Sequence, residues 1–218
     1  MKRIIIIGEG QTEQEFCNDI LLPYFANHDI YITNPTIKKS NGGIVAWRDL
    51  KKEIEIYLKQ DSSTYVTLLI DYYGLYSNMG YPYWDESLNI VDIYERMDFL
   101  EKAMLNDIDD NLKNRFIPYI QVHEFEGILF SNKEIFDNNF DEDEFLDHDY
   151  LEETVSLFEN PEMINNGRDT APSKRLKRIL KDYNKIVHGS LLAAEIGLSN
   201  IMDKCPRFNS WIHMLLEK

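Results

Sequence analysis

Three short apolar runs break an otherwise mixed chain, and each one ends in carboxylates. Ile4-Ile5-Ile6-Ile7 stops at Gly8-Glu9-Gly10-Gln11-Thr12-Glu13. Val66-Thr67-Leu68-Leu69-Ile70 stops at Asp71. Phe116-Ile117-Pro118-Tyr119-Ile120-Gln121-Val122 stops at His123-Glu124-Phe125-Glu126. Runs of this length, rich in β-branched residues and not alternating with polar ones, predict strands buried on both faces, as in a parallel sheet. Strands are expected over 3–7, over 65–70 and over 116–122, with a weaker one from Tyr31 to Ile37. Between them the apolar period lengthens to that of a helix. Phe16, Ile20 and Leu21 predict a helix that starts at Thr12, with Glu15 completing a Thr-x-x-Glu box, and stops near Pro23. Leu50, Ile54 and Leu58 predict a helix over 47–58, and Ile93, Met97, Leu100 and Met104 one over 90–108.

Asn41-Gly42-Gly43 reads as a turn, and Gly74 to Glu86 as a long loop rich in Tyr, Gly and Pro. Phe125 to Phe130 is expected to begin a helix. Further helices are expected over Ser173–Tyr183, Leu191–Met202 and Asn209–Leu216. Strands alternating with helices give an α/β fold with a mostly parallel sheet and a helical C-terminal extension. The division expected is a core over 1–135 and a mainly helical part over 136–218, packed as one domain.

The 218 residues, 44% hydrophobic and 12% aromatic, suit one well-packed core. No apolar run approaches the ~18 residues that span a bilayer. The N-terminal apolar run is too short for a signal peptide and has no cleavage site. Cys17 and Cys205 make no disulfide framework, so the chain is expected in the cytoplasm with reduced thiols. The net charge of −15 argues against coating nucleic acid by bulk attraction. Charge is unevenly spread, however. Asp141 to Glu153 is acidic without a single Lys or Arg. Arg168 to Lys185 is basic, with Arg168, Lys174, Arg175, Lys177 and Arg178 foremost.

Strand-end carboxylates carry the candidate chemistry. Ligands of parallel sheets bind beyond the carboxyl ends of the strands, so Glu9, Asp71 and Glu124 are expected to converge there. Like charges held close need a cation, and hard oxygen ligands suit Mg²⁺ or Mn²⁺. Glu126 joins Glu124 on one face if the chain stays extended; if a helix starts at Phe125 the two diverge. His123 is a ligand, a base or a core residue bonded to backbone. The Gly8–Glu13 loop lacks the Lys-Ser/Thr of a Walker loop, and Glu13 stands where a dinucleotide loop has its third glycine. The aromatic residues after Asp71 either stack on bases or pack among themselves. The basic stretch either contacts phosphates or balances the acidic one.

The segments Gly8–Glu13, Leu69–Leu75, Glu95–Glu101, Phe116–Glu126, Asn165–Arg175 and Cys205-Pro206-Arg207-Phe208 together resemble an uncharacterised bacterial family of TOPRIM-like proteins. The resemblance implies a Rossmann-like core and metal-dependent work on nucleic-acid phosphodiesters, as in topoisomerases, primases and overcoming-lysogenization-defect nucleases. It implies Glu9 and Asp71 as the key acids, DNA as the expected substrate, a defence or mobile-element setting, and an AAA-type ATPase as partner. The TOPRIM pattern has Asp-x-Asp, whereas this chain has Asp71-Tyr72-Tyr73. The leading expectation is a Mg²⁺- or Mn²⁺-dependent nuclease with Glu9, Asp71, Glu124 and Glu126 at its metal. The alternative is a catalytically degenerate module that binds and regulates an ATPase.

Overall fold

The computed structural model describes residues 2–38, 43–165, 167 and 169–218. Asn41 and Gly42 of the expected turn, and Arg168 of the basic stretch, lie outside them. The chain divides into two units, Met1–Val122 with Met214–Lys218, and His123–His213.

The first unit holds a five-stranded sheet in which every pairing is parallel. Its strands are β1 (Lys2–Gly8), β2 (Ile30–Thr33), β3 (Thr64–Asp71), β4 (Phe116–Ile117) and β5 (Ile120–Gln121). The order is β2-β1-β3-β4, and β5 also pairs with β3. Both central strands are covered on both faces, as their unbroken apolar runs require. Ile5, Ile7, Val66, Leu68 and Ile70 face one core. Leu50, Ile54 and Leu58 of α3 (Trp47–Gln60) and Met97, Leu100 and Met104 of α5 (Ile93–Asp107) complete it. Ile4 and Ile6 point the other way and are equally buried.

Local chemistry moves several expected boundaries. The first helix, α1 (Gln11–Phe16), starts after Gly10, not at Thr12. The Glu13 carboxylate reaches back to accept the Gly10 N–H at 2.9 Å, the reciprocal half of a capping box. Thr12 is buried and caps nothing. Nor does Pro23 stop the helix. A π-turn over Cys17–Leu21 leads into α2 (Leu22–Ala26), where Pro23 sits in the first turn and its missing N–H costs no bond. The run 116–122 is not one strand. Pro118 cannot donate to the ladder and splits it into β4 and β5. The strand from Tyr31 ends at Thr33, with a lone bridge from Thr36 to Gly8 beyond it. The loop 74–86 contains a short helix, α4 (Trp84–Ser87).

The second unit is helical: α6 (Glu134–Asn139), α7 (His148–Leu157), α8 (Pro172–Ile179), α9 (Lys185–Lys204) and α10 (Pro206–Leu216), whose last residues belong with the first unit. A 3₁₀ run, Phe125–Ser131, opens it. The helix α8 stops four residues short of Tyr183, because Leu180 turns extended and bridges Phe145. The helix α9 begins earlier than its apolar pattern suggested, capped by the Asn184 side chain, and kinks at Gly197. Among the described residues no helix is long and apolar enough to cross a membrane.

Candidate metal and phosphate site

Strand order reverses between β1 and β3. From β1 the chain crosses to β2 on one side, then returns to place β3 on the other, so the connections leave β1 and β3 in opposite directions. Ligands of open parallel sheets bind at such a reversal. Glu9 and Asp71 stand there. Asp71 is the last residue of β3, and Glu9 follows β1 directly.

The backbone of Glu9 prolongs the ladder, its N–H donating to the Leu69 carbonyl at 3.2 Å. This pins the residue at the sheet edge before the chain turns into α1. The turn needs small residues: a Cβ on Gly8 would come 3.2 Å from the Glu13 Cβ. The Glu9 side chain bends toward β3, where its Oε2 accepts the Asp71 N–H at 3.2 Å. The two acids expected to share an edge therefore do so. Asp71 is buried and Glu9 half-buried.

The surroundings of Glu9 are close and largely apolar. Gly74, in the 3₁₀ turn after Asp71, would bring a Cβ within 3.5 Å of the carboxylate, and Gly43 within 3.9 Å. Tyr81 is buried nearby and donates its hydroxyl to the Val45 carbonyl at 3.3 Å. Burial and then the Glu9 charge push that phenol well above its ordinary range, so it stays protonated and donating. Beyond it the aromatic loop packs on itself. The Tyr72 and Trp84 rings lie 5.7 Å apart, and the Tyr72 hydroxyl accepts from Arg96 at 3.0 Å. Tyr76 and Tyr83 project to solvent.

Glu124 and Glu126 belong to the second unit and diverge, because the 3₁₀ run starts between them. Glu124 accepts the Ser173 N–H at 2.9 Å and the Ser173 hydroxyl at 3.1 Å, so it caps α8, whose helix dipole favours an acid there. Glu126 is almost fully buried, and the Lys185 ammonium, 3.3 Å away, offsets its charge. Burial and the Glu126 charge raise the pKa of Tyr183. His123 is partly buried at the start of the second unit. It adopts a left-handed backbone, and its Nδ1 shares a hydrogen bond with the Asn165 amide at 3.1 Å. Among the described residues no group of three or more His, Cys, Asp or Glu side chains is disposed to hold a metal ion.

The basic stretch separates by face. Lys174, Lys177 and Arg178 are exposed as the helical period requires. Arg175, expected among the phosphate contacts, is instead buried. Its guanidinium donates to the Thr170 carbonyl at 2.9 Å, the Tyr150 hydroxyl at 2.8 Å and the Thr154 hydroxyl at 3.1 Å. Arg178 pairs with Asp147 at 2.7 Å and lies over the Tyr150 ring. That pair joins the basic helix to the acidic stretch.

One polar residue near the edge escaped the sequence reading. Gln121 ends β5 in register with Asp71 and is 1% exposed. Its one signal is an amide inside an apolar run.

Residues 8–216 match the family model described as a domain of unknown function, DUF4276. Neither a curated protein nor a solved structure matches the chain.

Proposed function

The chain belongs to the DUF4276 family, and on that premise we propose a TOPRIM-type, metal-dependent protein acting on nucleic-acid phosphodiesters, DNA foremost. The observation that carries this reading is the hydrogen-bonded pair of Glu9 and Asp71 at the reversal of a parallel sheet. Two carboxylates fit the usual protein share of a Mg²⁺ site, in which waters and substrate phosphate complete the octahedron. A bound Mg²⁺ or Mn²⁺ would supply the Lewis acidity that polarises a phosphoryl oxygen.

Within that site Asp71, held rigidly at a strand end, anchors one ligand oxygen. Glu9, half-buried and leaning on the Asp71 N–H, provides a second oxygen or takes up a proton from the attacking water. Tyr81 helps to hold Glu9's surroundings dry. Glu124 and Glu126, in the second unit, are held by Ser173 and Lys185 and are not part of this site. Lys174, Lys177 and Arg178 of α8 are the proposed phosphate contacts.

A second reading has its own support. Tyr73 stands where the TOPRIM pattern has a second acid, and the described residues hold no three-ligand cluster. A degenerate module that binds and regulates an AAA-type ATPase would need neither. A metal titration separates the two. On the first reading Mn²⁺ raises the melting temperature, because a ligand of the folded state alone stabilises it, and Asp71→Asn removes most of the rise. A rise of equal size in Asp71→Asn would take Asp71 out of the site.

A further inference from the structure

Gln121 uses the carbonyl end of its amide and leaves the N–H₂ end without a partner among the described residues. The Tyr119 hydroxyl, two residues back on the same face, donates to its Oε1 at 2.6 Å. That bond leaves Nε2 pointing away from Tyr119. Nε2 is buried, and among the described residues no hydrogen-bond acceptor reaches it. Buried donors are rarely left so, because desolvation without a partner is costly. Each such group calls for an explanation, among them strain, a catalytic role or a bound ion.

The position of this donor in the sheet is informative. Gln121 is the Cα partner of Asp71 across the parallel β3–β5 pairing. Partners in a parallel ladder point to the same face, so the amide and the Asp71 carboxylate lie side by side at the carboxyl end of neighbouring strands. When ionised, Asp71 supplies only acceptors, and Gln121 supplies a neutral N–H. A metal, when bound, would be held by the first, and an anionic substrate oxygen would accept from the second. An amide has no charge, so it can sit beside the Asp71 carboxylate without the pairing that would neutralise a Lys or Arg there.

Resting on the proposed reading of the Glu9–Asp71 site, we infer that Gln121 is a substrate-binding residue that donates from Nε2 to a non-bridging phosphoryl oxygen. Tyr119 is its positioning residue. It holds the carbonyl end so that the N–H₂ end faces the edge.

Two titrations on the full chain test this. The first follows Mn²⁺ alone by calorimetry. The second follows thymidine 3′,5′-bisphosphate added to the Mn²⁺-saturated protein. They are run on wild type, Gln121→Met, the double variant Tyr119→Phe/Gln121→Leu, and Asp71→Asn. The double variant removes both ends of the buried bond and leaves no orphaned hydroxyl, so it keeps the test alive if Gln121→Met folds poorly. The expected result is Mn²⁺ affinity within about twofold of wild type in both Gln121 variants, with nucleotide affinity down about tenfold, the loss of one charge-assisted hydrogen bond. Unchanged nucleotide affinity, or equal losses for metal and nucleotide, would overturn the assignment of Gln121. A wild-type chain that binds no Mn²⁺ would instead sink the parent reading, and this inference with it.

Discussion

Arg175 and Arg178 lie one turn apart on α8, and burial gives them different work. Arg175 ties α8 to α7 through Tyr150 and Thr154, and its ring neighbours Tyr150 and Phe158 cover the guanidinium. Arg175→Met should cost ~2–3 kcal/mol in urea denaturation, because the buried Thr154 hydroxyl, the Tyr150 hydroxyl and a carbonyl lose a charged donor. Lys177→Ala, on the exposed side, should stay within ~0.5 kcal/mol. An Arg175→Met variant as stable as wild type would return that side chain to the surface. Cysteine chemistry follows from burial in the same way. Desolvation, then the nearby Glu13 charge, pushes the Cys17 thiol up, and desolvation does the same for Cys205. Both should stay protonated and resist Ellman's reagent at pH 8 until the chain is unfolded. Fast labelling of the native protein would contradict this.

Elements carry the next layer, and glycine geometry decides two of them. Gly8 allows β1 to turn closely against Glu13. Gly197 sits inside α9 at φ 77°, where an L side chain is strained, although nothing would touch its Cβ. Gly197→Ala should therefore lower stability by ~1–3 kcal/mol through backbone strain alone. An unchanged melting temperature would mean the kink relaxes to a straight helix. For α8, a salt titration of DNA binding tests the exposed face. Replacing Lys174 and Lys177 with Ala should weaken binding and flatten the salt dependence by about one unit per lost contact. An identical slope would leave the helix with a structural or partner-binding role.

For the whole molecule, depressed carboxyls set the acid limit. Hydrogen bonds from Ser63 and Thr64 hold Asp61 down to about 2. Lys133 and His148 hold Asp137 below its ordinary value, and Arg178 does the same for Asp147. Burial pushes Asp107 up, but its bonds to Trp47 and Lys51 outweigh that and lower it. A carboxyl with a lowered folded pKa stabilises the fold fully above its unfolded value of ~3.9 and loses that contribution as pH falls through the folded one. The urea midpoint should change little between pH 7 and 5, then fall below pH ~4 and on toward 2. A midpoint steady to pH 2 would show that these bonds do not persist in solution.

Periodicity alone determined the sheet's central strands, the helices α3 and α5, and the pairing of Glu9 with Asp71 at one edge. Hydrophobic period and strand-end position are local properties, and a parallel sheet turns them directly into place. The sequence carried the outward face of α8 for the same reason. Tertiary structure decided what depends on partners far along the chain. Arg175 is buried because Tyr150 and Thr154 meet it, and Glu124 caps α8 because Ser173 comes to it from forty-nine residues away. Pro118 was visible, yet its effect on 116–122 depended on β3 offering a ladder it could not join. Gln121 became a candidate only when register set it beside Asp71, since an amide in an apolar run has no meaning until its neighbour across the sheet is known.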